Sequence, residues 1–101
     1  MISSGNRILT NYDITLIFSP NLEKVEIKDI VSNFISYLKY WSNDCTSVNY
    51  IGRRTLAYPI KKYSIGVFVN LKISASPNVI VRLQETFRQE EGIVRSQIIK
   101  L

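Results

Sequence analysis

Alternating apolar residues predict a first strand near the start of the chain. Residues 12–18 place Ile14, Leu16 and Phe18 at every second position, which is the period of a strand with one buried face. The following Ser19-Pro20-Asn21 ends this strand, because proline is disfavoured inside a sheet and favoured at the start of a helix.

The next segment, residues 22–40, changes to a helical period. Its apolar residues recur mainly at spacings of three and four, which aligns them along one stripe: Leu22, Ile27, Ile30, Val31, Phe34, Leu38 and Trp41. Glu23 and Glu26 lie near the predicted amino end and Lys39 near the carboxyl end, as the helix dipole favours. We interpret the aromatic residues of this helix as part of the core.

Two further strands are predicted to form a hairpin. Residues 46–60 form the first, with Gly52 at a bulge or a close backbone approach. Residues 66–74 form the second; Lys61 and Lys62 lie at the hairpin bend, and Tyr63-Ser64 makes the short connection. In the second strand one face carries Val67, Val69, Leu71 and Ile73, and the other carries Phe68, Asn70 and Lys72.

The last third of the chain predicts a second helix and a final strand. Ser76 is the expected N-cap, Pro77 the first helical residue, and the helix ends before Gly92. Its apolar stripe consists of Val79, Ile80, Leu83 and Phe87, and residues 93–99 form the strand.

The resulting order, β-α-β-β-α-β, predicts an α+β fold. It fits the ferredoxin-like split βαβ sandwich, a four-stranded antiparallel sheet with two helices on one face and the other face open. We expect residues 1–8 to be a flexible segment and residues 9–101 to form a single domain.

Charge is distributed unevenly along the 101 residues. Residues 1–50 carry four cations and five acids, whereas residues 51–101 carry nine cations and three acids, so the net charge of +5 belongs to the second half. A basic half favours an anionic partner, although a merely soluble basic surface would have the same composition.

The residue inventory excludes most catalytic chemistry. The chain has no histidine, which removes the Ser-His-Asp triad, the Cys-His pair and histidine-based zinc sites. Cys45 is the only cysteine and has no histidine to activate it, so we interpret it as a half-buried structural residue. The carboxylates lie in surface-like contexts. We therefore expect no enzymatic activity, no cofactor, no metal and no small-molecule substrate.

The sequence contains no pattern typical of a membrane span or a secretory signal. No apolar run approaches the roughly 20 residues of a membrane span, and the first residues lack the apolar core of a secretory signal. We expect the protein to work in the compartment where it is made, without a membrane partner.

The segment that is most informative about function is residues 51–62, Ile-Gly-Arg-Arg-Thr-Leu-Ala-Tyr-Pro-Ile-Lys-Lys. Its basic ends and apolar middle allow it to pack in a sheet while cations point toward a polyanion. Long cationic side chains on a rigid scaffold suit phosphate contacts. The candidate binding residues are Arg53, Arg54, Lys61 and Lys62, followed by Arg88 and Arg95 near the last strand. A reader of unpaired bases on the open face fits poorly, because Phe68 is alone there.

Three stretches resemble small-subunit ribosomal protein six of bacteria and organelles. They are Tyr12 through Leu22, Gly52 through Lys62, and Thr86-Phe87-Arg88 followed by Ile93-Val94-Arg95-Ser96. The resemblance implies a structural role in the small ribosomal subunit, with binding to its 16S-type rRNA together with small-subunit ribosomal protein eighteen. It also implies that Tyr58-Pro59 is structural, as an aromatic anchor and a proline that ends strand pairing. Many bacterial members continue past the last strand into a charged tail that can reach the partner protein; this sequence stops at Leu101, so we expect no tail-mediated contacts.

Two other functions and two origins stay open at this stage. A small-molecule regulatory module of the same topology would need a polar pocket at a strand–helix junction, usually with glycines that Ser19-Pro20-Asn21 lacks. An acylphosphatase-like enzyme would need a glycine-rich phosphate loop followed by arginine in the same place. Abundant isoleucine and asparagine with little alanine favour a plastid origin over a bacterial one, and hence a chloroplast ribosome over the bacterial cytoplasm.

Overall fold

The computed structural model describes residues 9–41 and 44–101. Its elements follow the predicted order: β1 (Thr10–Phe18), α1 (Lys24–Tyr40), β2 (Asp44–Ile60), β3 (Tyr63–Ala75), α2 (Pro77–Gln89) and β4 (Ile93–Lys100). The predicted flexible segment 1–8 and the turn-like residues 42–43 lie outside the described residues. The division into one domain stays a prediction.

The four strands form one antiparallel sheet in the order β2-β3-β1-β4. Strand β1 is central and pairs with β3 from Thr10 opposite Ala75 to Phe18 opposite Val67. On its other side it pairs with β4, with a bulge between Ile17 and Phe18. This arrangement confirms the predicted ferredoxin-like split βαβ fold.

The core lies between the helices and one face of the sheet. The inward residues of β1 and β3 are those at the predicted alternate positions, and they are almost fully buried: Ile14, Leu16, Phe18, Val69, Leu71 and Ile73. All six belong to the same buried cluster as the stripes of both helices. Phe34 of α1 and Phe87 of α2 meet edge to face at 4.8 Å between ring centroids, which joins the helices above the sheet.

Helix α1 begins two residues later than the periodicity predicts. Glu23 is the N-cap, and its backbone N–H donates to the Glu26 carboxylate at 2.9 Å in a reciprocal capping box. At the other end Trp41 is the C-cap residue. The expectation that the aromatic residues of this helix belong to the core holds for Phe34 and is wrong for Tyr40, whose side chain is 79% exposed.

The β2–β3 hairpin is longer than predicted, and its bend is at Lys61 and Lys62 as predicted. Tyr63 and Ser64 belong to β3, and Ile60 pairs with Tyr63 across a turn of Lys61 and Lys62. Because β1 stops pairing at Val67, the distal part of the hairpin extends past the end of β1. Pairing within the hairpin is irregular between Thr55 and Ile60, around Pro59, as a proline would cause.

Two residues of this extension, one near its tip and one at its base, correct or refine the sequence interpretation. Tyr58 is 64% exposed, so its predicted role as an aromatic anchor is wrong. Gly66 packs so closely on Ile17 that an added Cβ would overlap the Ile17 Cγ2 methyl group, with Leu56 next to it. A residue without a side chain is therefore required where the hairpin crosses β1.

Two valines of α2 provide a matched test of the core. Val79 is 5% exposed and Val81 is 65% exposed on the same helix. We expect Val79→Ala to lower the free energy of unfolding by about 2 kcal/mol, through lost burial and a cavity. Val81→Ala should leave it unchanged within about 0.5 kcal/mol, because alanine also favours the helix. Urea denaturation of both variants measures the difference, and equal effects would contradict the assignment of this face to the core.

Candidate nucleic-acid interface

The hairpin turn holds its two lysines in an unusual backbone conformation. Lys61 has φ 48° and Lys62 has φ 74°, and these two residues alone connect Ile60 to Tyr63. Positive φ at both central positions is the signature of a type I′ turn, which matches the twist of a hairpin and ordinarily contains asparagine and glycine. Placing an L-residue there costs about 1–2 kcal/mol per residue. The turn thus places two exposed lysines at the tip of the hairpin.

The tip of the hairpin meets the end of α2 and the start of β4 at a cavity of about 300 Å³. Three predicted binding residues, Lys61, Arg88 and Arg95, line this cavity, which we call the basic cavity. They come from three different elements, and the folded chain brings them together although 34 residues separate Lys61 from Arg95. The remaining lining residues are Gln84, Phe87, Ile93, Val94 and Ser96.

The basic cavity is electropositive because none of the described residues that line it is acidic. Arg88 forms an ion pair with Glu85 one turn earlier on α2, with 3.0 Å between Nη1 and Oε2. The side chains of Arg88 and Glu85 are 74% and 57% exposed, so the pair contributes little and a phosphate could displace the carboxylate. Lys61 and Arg95 are exposed, and no described carboxylate is paired with either.

Two polar residues of the basic cavity, Gln84 and Ser96, were not predicted from the sequence. Gln84 lies four residues before Arg88, a spacing that places both on one face of α2. That helical spacing was the available signal. Ser96 follows Arg95 in regular register on β4, and adjacent strand residues point to opposite faces, so no pattern in the sequence indicates that both line one cavity.

The adjacent arginines of β2 do not join the basic cavity. A bulge between Tyr50 and Gly52 precedes them, and Gly52 has φ +102°, a conformation suited to glycine. After the bulge Arg53 pairs with Val67 and Arg54 with Gly66 in regular register, so the two side chains leave opposite faces of the sheet.

Arg53 and Arg54 consequently have different surroundings. The Arg53 guanidinium donates through Nη2 to the backbone carbonyl of Pro20 at 2.8 Å, which ties β2 to the turn between β1 and α1. Arg54 lies on the open face of the sheet and is exposed. Of the two, Arg53 has a structural hydrogen bond whether or not a ligand is bound.

A second cavity of about 520 Å³ lies where Arg53 meets the amino end of α1. It includes Leu22, Ile27 and Tyr50, and Lys28 stands 5.7 Å from the centre of the Tyr50 ring. This is the strand–helix junction at which a small-molecule module would bind. The capping box of Glu23 already provides a carboxylate at this helix end, which disfavours an anionic metabolite there.

Within residues 9–41 and 44–101, little supports a function based on a reactive thiol, a metal site or a membrane span. Cys45 is half-buried, and its thiol donates to the carbonyl of Ser47 at 3.4 Å. No group of three or more potential metal ligands occurs in this part of the chain. No helix in the same part is both long and apolar enough to cross a membrane.

The family model for ribosomal protein S6 matches residues 11–100, which is nearly the whole chain. The chain belongs to the ribosomal protein S6 family. Among its relatives are two proteins called small ribosomal subunit protein bS6. The one from Porphyromonas gingivalis is 33% identical over 87 residues, covering 86% of this chain and 74% of that protein. The one from Caldanaerobacter subterraneus is 30% identical over 92 residues, covering 91% and 97%.

A solved structure supports the fold independently. The crystal structure of ribosomal protein S6 from Thermotoga maritima superimposes with a TM-score of 0.85, covering 92% of this chain and 88% of that one at 21% identity. The family predicted from three short stretches is therefore confirmed. The prediction that the chain is not an enzyme is confirmed as well, because this is a family of structural ribosomal proteins.

The strained turn provides a stability test for residues 61 and 62. Replacing Lys61 by Asn and Lys62 by Gly should raise the free energy of unfolding by about 1 kcal/mol, because the left-handed penalty outweighs the extra freedom of glycine in the unfolded chain. Urea denaturation measures this change. As a control, Lys61→Ala with Lys62→Ala removes the same charges and should give no gain. A loss of stability in the Asn-Gly variant would contradict a type I′ turn.

Proposed function

We propose that the protein is a structural constituent of the small ribosomal subunit that binds 16S-type rRNA together with small-subunit ribosomal protein eighteen, in support of translation. Membership of the ribosomal protein S6 family supports the ribosomal assignment. The observation that carries the RNA contact is the basic cavity, where Lys61, Arg88 and Arg95 converge.

The residues of the basic cavity suit a phosphate backbone. Arginine provides a planar fork that binds phosphate oxygens in pairs, and lysine provides a mobile point charge. Here two arginines lie on regular elements, α2 and β4, while the lysine projects from the hairpin turn. Such contacts supply affinity and register without reading base identity. Lys62 lies in the same turn and extends the positive surface.

The partner protein fits best at the outer edge of β2. This strand is at the end of the sheet, so its outer backbone groups are not paired within the sheet of the described residues. Tyr50 is 40% exposed and Ile51 37% exposed beside this edge, and Arg54 lies on its open face. An edge strand flanked by exposed apolar residues suits a second protein. We assign Arg53 and Arg54 to this partner side and the basic cavity to rRNA.

We also propose that this ribosome is that of a plastid. Fifteen isoleucines and eight asparagines stand against two alanines and no histidine in the chain. That usage is typical of an A/T-rich genome, whereas the named relatives are bacterial. Sequencing the genomic locus tests the origin, since flanking bacterial genes would contradict it.

The rRNA contact predicts a specific loss of salt dependence. Lys61→Gln with Arg95→Gln should weaken binding to small-subunit rRNA and lower the slope of log K against log salt by about 1.4–1.8, or about 0.7–0.9 for each lost phosphate contact. Filter binding across a salt series measures both quantities in the presence of the partner protein.

A matched pair controls for net charge. Lys24→Gln with Lys100→Gln removes the same two charges from exposed positions outside the basic cavity. It should change the slope much less. Equal slopes for the two double variants would contradict phosphate binding by the basic cavity and indicate that its cations are only solvated. Wild-type protein that never co-sediments with small subunits at moderate salt would overturn the function itself.

The partner contact predicts different outcomes for two neighbouring arginines. Arg54→Ala should weaken binding of small-subunit ribosomal protein eighteen while leaving the free energy of unfolding unchanged. Arg53→Ala should lower that free energy by about 0.5–1.5 kcal/mol, because the bond to the Pro20 carbonyl is lost. Calorimetry with the partner and urea denaturation separate the effects. Normal partner binding by the Arg54 variant would remove Arg54 from the interface.

A further inference from the structure

An aromatic cluster lies at the carboxyl end of α1, away from the basic cavity. The Trp41 ring is met edge to face by Tyr40 at 5.4 Å and by Tyr37 at 6.3 Å between centroids. The guanidinium of Arg82, from α2, lies 5.2 Å from the centre of the Trp41 ring. We call Tyr37, Tyr40, Trp41 and Arg82 the aromatic patch.

The exposure of the aromatic patch is not explained by the core. Tyr40 is 79% exposed and Trp41 is 37% exposed, whereas the core aromatics Phe34 and Phe87 are almost fully buried. An exposed aromatic ring gains nothing from folding, and a polar residue would form the same helix end. The arrangement instead holds the Tyr40 ring against Trp41, so that it is fixed in place before a ligand arrives.

Two cations lie on the helical segments that carry the aromatic patch. In the last eight residues of α1 (33–40), its C-cap Trp41 and the first eight residues of α2 (77–84), the only charged residues are Lys39 and Arg82, and the nearest acids in sequence are Asp44 and Glu85. Both are cations and both are exposed. An aromatic surface with cations at its border complements a base with its phosphate.

We propose that the aromatic patch stacks an unpaired base of the rRNA, with Tyr40 as the stacking ring and Lys39 and Arg82 on the adjoining phosphates. The inference rests on the proposed function for the identity of the RNA. Unpaired bases splayed from loops and bulges are the parts of RNA that proteins bind by stacking on tyrosine, tryptophan and arginine planes. The patch therefore adds contact with a base to an interface whose other groups meet phosphates.

The aromatic patch and the basic cavity contact different parts of the RNA. Arg95 lies in register with Ile17 and hence with Phe68, whereas β2 begins opposite Ser74, next to the end of α1. The six residues from Phe68 to Ser74 span about 20 Å of strand. A single nucleotide cannot bridge that distance, so the two surfaces are separable by mutation.

Trp41 makes the proposal directly measurable, because it is the only tryptophan of the chain. Titration of the full chain with a short oligoadenylate should quench its fluorescence, since a base stacked on Tyr40 lies against the neighbouring indole. Inorganic polyphosphate of equal charge offers the phosphates without bases. It should bind more weakly and leave the emission unchanged. Equal quenching by both ligands would overturn stacking.

Substitutions at residue 40 test the ring itself. Tyr40→Leu keeps an apolar side chain of moderate size and should weaken oligoadenylate binding about fivefold to 150-fold. Tyr40→Phe keeps the ring and should bind like the wild type. Lys61→Gln with Arg95→Gln should leave the quenching intact, because those residues lie in the basic cavity. Equal affinities for the Leu and Phe variants would contradict the proposal.

Binding to small-subunit rRNA separates this inference from the proposed function. If wild-type protein fails to bind the rRNA, both fail. If wild type and Tyr40→Leu bind it equally, the aromatic patch is excluded and the function stands. If Tyr40→Leu affects association only when other ribosomal proteins are present, and oligoadenylate does not quench Trp41, the patch docks a protein and stacking is overturned.

Discussion

Pairing of β1 with two neighbours at once is the constraint on which the rest of the fold depends. Nine consecutive residues of β1 are matched with β3, and seven are matched with β4. Since side chains alternate, a slip of one residue would turn Ile14, Leu16 and Phe18 outward and leave both helices without a surface to cover. The alternation of these three residues with Asp13 and Thr15 therefore specifies the register of the whole sheet. Asn70 reinforces it from the open face by donating to the Asp13 carboxylate and to the carbonyl of Ile14.

The same register determines where the basic groups go. Because β1 ends at Phe18 while β2 and β3 continue, the hairpin extends beyond the sheet and reaches the start of β4. The bulge between Ile17 and Phe18 shifts β4 at that point, and Arg95 is the first residue after it to resume pairing. The basic cavity thus results from one strand ending early and another being displaced. Neither Lys61 nor Arg95 would be near the other in a sheet of equal, regular strands.

Much of this fold could be predicted from the sequence because it is encoded by local periods. The buried faces of β1, β3 and both helices follow from spacings of two and of three or four, and Pro77 and Gly92 mark the limits of α2. The positions that failed depend on tertiary context. Tyr58 is predicted as an aromatic anchor, but it lies exposed on the irregular part of the hairpin. Tyr40 was assigned to the core on its residue type, yet its direction on the helix takes it away from the buried stripe. The hairpin bend at Lys61 and Lys62 was predictable, but its approach to Arg88 and Arg95 depends on tertiary contacts and on the bulge in β4, which no local pattern indicates.

The Lys61-Lys62 turn shows where local rules and the whole fold disagree. A two-residue hairpin with positive φ at both positions would be more stable with asparagine and glycine, and adjacent ammonium groups repel each other as well. No described carboxylate forms an ion pair with either lysine that would offset this cost. Strained positions of this kind concentrate where a chain meets a ligand, because the stability lost in the free protein is recovered on binding. Two adjacent cations in a strained turn at the tip of a long hairpin are costly for an isolated protein. The proposed contact with rRNA would supply the counter-charge that the described residues lack.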